Sequence, residues 1–291
     1  MSLSLISVNL TTLALSTLIY GAYAVLFFIS MYLLVGKYDS THTSHKSRQD
    51  GSIFKSLVFV SAILLFITVT AHWITLVYRA FLAFVVLQDG TEAEIFFGDQ
   101  TQPSAVVSNS ILALAILIGD AVIIYRLWVV WSYNKLVLVV PAFTLFAFTI
   151  VSSVSTYTTW RNSDVFANPW LKIDTVLTLI TNVYCTAFIA WKIWTITRIT
   201  MPSDGSNLRH FLIIVVESAG FYALWAVLFV IAYEFKSNLQ LTIILTSPAV
   251  VGLVNALIQT RVGLGWTSEQ TKVMPWPASP LCFAARVNDQ V

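Results

Sequence analysis

The sequence predicts an all-α polytopic membrane protein: a seven-transmembrane helix bundle with its N-terminus outside and its C-terminus in the cytoplasm. Three observations carry that expectation. The composition is strongly apolar, seven segments are long and apolar enough to cross a bilayer, and basic residues crowd onto one side of the connections.

Of 291 residues, 57% are hydrophobic and 10% charged, and the mean hydropathy is +0.80. A soluble domain carries about 25% charged residues, so this chain lacks the charge to cover a water-facing surface. That excludes a soluble enzyme, a nucleic-acid binder and a disordered chain. The net charge of +2 is too small to point to a polyanionic partner. Two cysteines make no disulfide scaffold.

A membrane-spanning helix needs about 20 mostly apolar residues. The expected spans are 10–35, 53–78, 104–131, 136–157, 171–194, 210–233 and 239–262, within a transmembrane domain of residues 1–266. The first has no basic residue before it, and Lys37 follows it, so it reads as a retained span rather than a signal peptide. The second continues apolar past Arg79 to Leu87, which predicts a projecting or broken helix there. The third and fourth are joined by a tight Ser132-Tyr133-Asn134-Lys135 turn. Trp128, Trp131, Tyr157, Trp160, Trp191, Trp194 and Tyr233 gather at span ends, where amphipathic rings sit at the membrane interface. Met274-Pro275-Trp276-Pro277 cannot continue a helix, so residues 267–291 are expected to form a disordered cytoplasmic tail carrying Cys282, a lipidation candidate.

Orientation follows from the basic residues. The first, third and fifth connections and the tail hold 12 of them, including Lys37, Lys135, Lys192, Arg209 and Arg261. The other side holds 4: Arg79, Arg161, Lys172 and Lys236. Positive charge stays in the cytoplasm, which places the N-terminus outside. Asp89, Glu92, Glu94, Asp99, Asp164, Asp174 and Glu234 then fall on the outer side, as does the sequon at Asn9.

Polar residues in membrane helices face other helices or a cavity, and residues four, seven or eleven apart share a helix face. His72, Thr75 and Arg79 lie on one stripe of the second span, Thr175, Thr178 and Asn182 on the fifth, and Asn109 with Asp120 on the third. At about 1.5 Å of rise per residue, these residues sort by depth. His72, Thr75, Arg79, Asn109, Thr175, Thr178 and Asn182 form a candidate outer ligand cavity. Asp120, Arg126, Glu217 and Asn255 form a candidate inner cluster. Interhelical packing explains the outer stripe equally well, His72 reads as a hydrogen-bonded core histidine, and Arg79 as a side chain reaching the interface. Asp120 and Glu217 are costlier to place, at ~2.5–3.5 kcal/mol for an intramembrane charge. Arg126 and Glu217 are expected to pair across the third and sixth spans, as a breakable latch or as a permanent structural ion pair.

Catalytic signatures are missing from the sequence. The four histidines, His42, His45, His72 and His210, stand at different depths and cannot converge on a metal. The seventh span has no Lys for a retinal Schiff base, and no phosphate loop, nucleophile elbow or Cys-x-x-Cys occurs. Neither enzymatic activity nor a cofactor or metal is expected.

Gly119-Asp120-Ala121, Tyr125-Arg126-Leu127-Trp128-Val129-Val130-Trp131, Glu217-Ser218-Ala219 with Tyr222, and Arg261-Val262-Gly263-Leu264-Gly265 together resemble a group of seven-span integral membrane proteins expanded in basidiomycete fungi. The resemblance covers the chain to about Trp266 and implies topology, not activity. Similarity to G-protein-coupled receptors is more distant. Tyr125-Arg126 lacks the acidic neighbour of the receptor motif, the sixth span has Trp225 but no proline motif, and Asn255-Ala256 is not an Asn-Pro-x-x-Tyr motif.

The expected function is that of a receptor-like sensor of a small molecule, signalling through rearrangement of the third and sixth spans. Its partners would be the lipid bilayer, the ligand and a cytoplasmic signalling protein, with no nucleic acid, and its place the plasma membrane rather than an endomembrane. The alternatives are a small-molecule transporter and a structural membrane protein without ligand. A continuous polar path between Asn182 and Asp120 would favour transport; an apolar plug would count against it.

Overall fold

In a bilayer every backbone polar group must be satisfied within its own segment, and this chain meets that demand with helices throughout. The computed structural model describes residues 4–42, 49–86, 93–161, 169–199, 205–235 and 237–273, with side-chain packing for 4–33, 59–86, 93–161, 169–195, 217, 220–235 and 237–260. The helices are α1 (Leu5–His42), α2 (Gln49–Phe81, ending in a π-helical turn Leu82–Val86), α3 (Ala93–Gly98), α4 (Pro103–Val130), α5 (Lys135–Arg161), α6 (Pro169–Ile199), α7 (Gly205–Glu234) and α8 (Leu239–Val273). No strand occurs among the described residues.

Six of them, all but α3 and α7, are long and apolar enough to cross a membrane. α7 is a 30-residue helix whose apolar stretch, over the described residues, is Gly220–Glu234. Leu18, Leu136, Phe143 and Phe146 stand on the outside of the bundle, each at least 65% exposed. Water would penalise that surface at roughly 25 cal/mol per Å², whereas lipid would not. The chain is an integral, multi-pass membrane protein.

α4 and α8 form the centre. About half of each span is buried (50% and 56%), against 22–28% for the other four spans. α4 touches α2, α5, α6 and α8, while α1 lies along α8 and α7 bridges α6 to α8. α1 and α8 run in the same direction, as the Thr12–Thr242 pair (3.0 Å) and the seat of Gly252 against the Tyr23 ring show. α2 runs against α1, with Trp73 Nε1 donating to Thr17 and the Phe27 and Phe66 rings stacked at 4.1 Å. At Gly119 a Cβ would stand 2.2 Å from Val251 Cγ1. Only glycine lets α4 and α8 come this close.

The local signals at helix ends are legible. Gln102 is extended and Pro103 opens α4, where its missing N–H costs nothing. α4 closes through Ser132 (φ 52°) and Tyr133 (φ 64°), left-handed conformations that turn the chain back, with the Tyr133 N–H on the Trp128 carbonyl at 2.9 Å. Asn134 Oδ1 then accepts the Leu136 N–H to start α5. This is the tight turn expected from the sequence.

Three expectations change. α2 does not break at Arg79; it runs through it and widens into the π-helical turn three residues later. The connection read as a polar loop, 88–103, contains α3, whose Phe96 and Phe97 are buried against Ala83 and Ala93. An Ile95-Phe96-Phe97 triplet among acidic residues was the available signal. The last helix runs on to Val273, past the boundary placed at 266. Residues 274–291, with Cys282, lie outside the described residues.

Candidate functional site

The N-terminus, α3 and the starts of α4, α6 and α8 share one end of the bundle; the α4–α5 turn marks the other. Two adjoining cavities open at the α3 end. The first, about 70 Å³, lies among α1, α2, α3, α4 and α8 and is lined by Asn9, Thr12, Arg79 and Phe97. The second, also about 70 Å³, lies among α4, α5, α6, α7 and α8. Asn109, Thr159, Leu171 and Ile244 line both, so the two share a wall.

Of the seven residues assigned to an outer cavity, the structure brings four to it. Arg79 lines the first cavity, Thr175 and Thr178 the second, and Asn109 the wall between. Arg79 does not reach out to the interface as the sequence suggested. It is 7% exposed, donates to Ser104 Oγ at 3.1 Å and lies 5.5 Å from the Phe96 ring centre, so α3 folds over it. His72, Thr75 and Asn182 line neither cavity. The His72 side chain is buried with Nε2 unpartnered. Thr75 returns its hydroxyl to the Ala71 carbonyl, and Asn182 is buried beside Thr186.

The floor of the second cavity joins residues that depth counting had separated. Thr178 and Tyr222 both line it, and their hydroxyls are 2.7 Å apart. Behind them the Asp120 carboxylate, 2% exposed, stands within hydrogen-bonding reach of Thr178. The Thr178–Tyr222 hydrogen bond joins α6 to α7, with the Asp120 carboxylate of α4 buried close behind it. Asp120 Oδ2 keeps no partner. Asn255 approaches α4 beside Asp120, its Nδ2 3.6 Å from the Cβ position of Gly119, and donates to the Val251 carbonyl.

The rest of the expected inner cluster does not assemble. Glu217 is exposed on the outer surface of α7, and no ion pair joins it to Arg126 among the described residues. Arg126 is half-buried near the turn end with Nη1 unpartnered. The expectation failed because depth along two helices says nothing of their rotation: α7 turns Tyr222 and Ala226 inward, and that rotation sends Glu217 out. Beyond the Thr178–Tyr222 pair, Ile123, Ile124, Leu127, Ile189, Ile193, Val254 and Ile258 belong to one apolar cluster, with the buried polar side chains of Asn255 and Gln259 beside it on α8.

Sequence reasoning missed two residues of this site. Asp174, counted as an outer-surface acid, lines the second cavity and keeps a buried, unpartnered Oδ1. Its place four residues after Trp170 and four before Thr178 was a usable signal, since that spacing keeps one face. Trp225 also lines the cavity and donates through Nε1 to the Ile243 carbonyl at 3.1 Å. Thr246 and Ser247 donate to that same carbonyl, at 3.1 and 2.8 Å. It lies five residues before Pro248, which stands inside α8. Trp225 thus ties the cavity wall on α7 to the turn of α8 that precedes Pro248.

At the mouth, Lys172 pairs with Glu234 between exposed side chains, a bridge worth ~0–1 kcal/mol. Asp99 accepts the Thr101 hydroxyl at 2.6 Å and its N–H at 3.0 Å. Those hydrogen bonds hold its carboxyl below the usual aspartate range. No group of metal-binding side chains occurs among the described residues.

No protein-family model matches the chain, and neither a curated protein nor a solved structure matches it. The functional reading therefore rests on the geometry of the site alone.

Proposed function

We propose that this protein is a seven-span, receptor-like sensor with its N-terminus and α3 outside the cell, in the plasma membrane, that takes a small molecule into the cavity among α4–α8. The observation that carries this reading is a cavity at the α3 end whose inner end is the Thr178–Tyr222 hydrogen bond, beyond which Ile123, Leu127, Ile189 and Val254 belong to one apolar cluster. A sensor needs an addressable site and a sealed membrane; a transporter needs a route past Asp120.

The coupling runs through α7 and α8, not through a latch between Arg126 and Glu217. A ligand against Trp225 pushes on the Ile243 carbonyl, in the turn before Pro248. A proline is where a helix most readily kinks, and the coupling uses two arrangements of α8 at that point. A ligand shifts that choice only by its difference in affinity for the two. The signalling partner would read the result at the α4–α5 turn end.

The test has two arms. Thr175→Cys, in a background with Cys185 and Cys282 replaced by serine, is labelled in intact cells with a membrane-impermeant maleimide, and purified wild type is screened by thermal shift against a small-molecule library. Expected are labelling from outside, blocked by any compound that stabilises the protein, and no flux of that compound into proteoliposomes. Labelling only after permeabilisation, or saturable flux, overturns the reading, the latter in favour of a transporter.

A further inference from the structure

We propose that the second cavity selects an organic cation with an apolar or aromatic body, its charge held by the Asp174 carboxylate. This inference rests on the cavity being the ligand site and adds the chemical class of the ligand.

Asp174 lies five residues into α6, with Oδ1 buried and no hydrogen-bond partner. An ionised carboxylate away from water needs a cation or donors, and its surroundings supply no cation. The residues lining the cavity include no Lys, Arg or His. The basic side chains nearest in the fold are engaged elsewhere: Lys172 with Glu234, Arg161 with the Tyr157 hydroxyl, and Arg79 with Ser104 and Phe96 in the adjoining cavity. Among the described residues no basic side chain pairs with Asp174, and a bound cation would supply that charge.

The remaining walls suit such a cation. Trp225, Phe229 and Phe148 line the same cavity, and aromatic faces attract cations electrostatically as well as burying an apolar body. Trp225 is fixed by its bond to Ile243, so its ring is a preset wall. An anion would meet Asp174 with no compensating charge. A neutral ligand would leave the carboxylate unpaired, which is the penalty that discriminates. Glu94 and Asp99 stand at the same end of the bundle and favour approach of cations over anions.

The experiment uses the full chain in nanodiscs, with calorimetry and thermal shift as readouts. The probes are benzyltrimethylammonium, whose charge is fixed at every pH, and 2,2-dimethyl-1-phenylpropan-1-ol, its uncharged near-isostere. The cation is expected to bind about 10-fold or more tightly than the alcohol. Asp174→Asn, a near-isosteric change, is expected to erase that preference while alcohol binding persists. Equal binding of the two probes, or a preference that survives Asp174→Asn, overturns the inference. Alcohol binding that is lost in the cavity-filling Ala113→Leu, with no cation preference, removes this inference and leaves the sensor reading standing. Binding of neither probe also overturns it, while the maleimide and flux measurements decide the sensor reading independently.

Discussion

Replacing Gly119 by alanine tests the centre of the bundle. The new Cβ would stand 2.2 Å from Val251 Cγ1 and 3.7 Å from its Cβ. Carbon atoms in contact settle about 3.5–4.0 Å apart, so the closest pair overlaps by more than an ångström. Val251 cannot simply turn away. It is β-branched and held close to one rotamer in a helix, and it is packed among Val250 and Val254, all three at most 3% exposed. α4 and α8 must separate instead, a kind of overpacking that costs about 1–3 kcal/mol. With roughly 2–4 °C of Tm per kcal/mol for a chain of this size, the purified protein should melt about 2–12 °C lower. Differential scanning fluorimetry in one detergent reads this directly. Gly119→Ala with Val251→Ala should recover most of the loss, because the clashing methyl is gone. Gly21→Ala and Gly220→Ala meet nothing within 4 Å and serve as matched controls. A Gly119→Ala protein that melts with those controls would refute the close approach of α4 and α8. It would equally refute the placement of Asp120 against the cavity floor.

Three further outcomes follow from the site. Thr178→Val leaves the buried Tyr222 hydroxyl without its partner at a cost of about 1–3 kcal/mol; the melting temperature should fall by more than in Tyr222→Phe, which removes that hydroxyl altogether. Trp225→Phe keeps the aromatic wall and deletes the bond to Ile243, costing about 0.5–1.5 kcal/mol, and should leave ligand affinity nearly intact while abolishing any ligand-dependent change in hydrogen exchange over 243–248. The Asp99 turn should be acid-sensitive: because its folded-state pKa is depressed by Thr101, its contribution is present above the ordinary aspartate pKa of about 3.9 and is lost as pH falls through the lower folded value. Exchange of the Thr101 amide should therefore accelerate relative to its neighbours in that acid range, and Asp99→Ala should remove the pH dependence.

The sequence by itself determined the long apolar helices, though not α3, because spanning length, apolarity and turn chemistry are local properties. Leu136–Tyr157 was expected and Lys135–Arg161 is found; Ser104–Trp131 was expected and Pro103–Val130 is found. The Ser132–Tyr133 turn was legible for the same reason. Only the tertiary structure decided which polar side chains meet. The spans are apolar almost all round, so periodicity names residues that share a face without saying which neighbour that face meets. Helix tilt and rotation then override depth counted along the chain. Thus Thr178 and Asp120, assigned to different halves of the membrane, come together around Tyr222, while Glu217, given the same depth as Asp120, faces away from it. Asp174, read as a surface acid, turns into the cavity because its face of α6 packs toward α4 and α7. Rotation about a helix axis is set by packing partners distant in sequence, here by contacts as tight as Gly119 on Val251, and that information is not held in any single span.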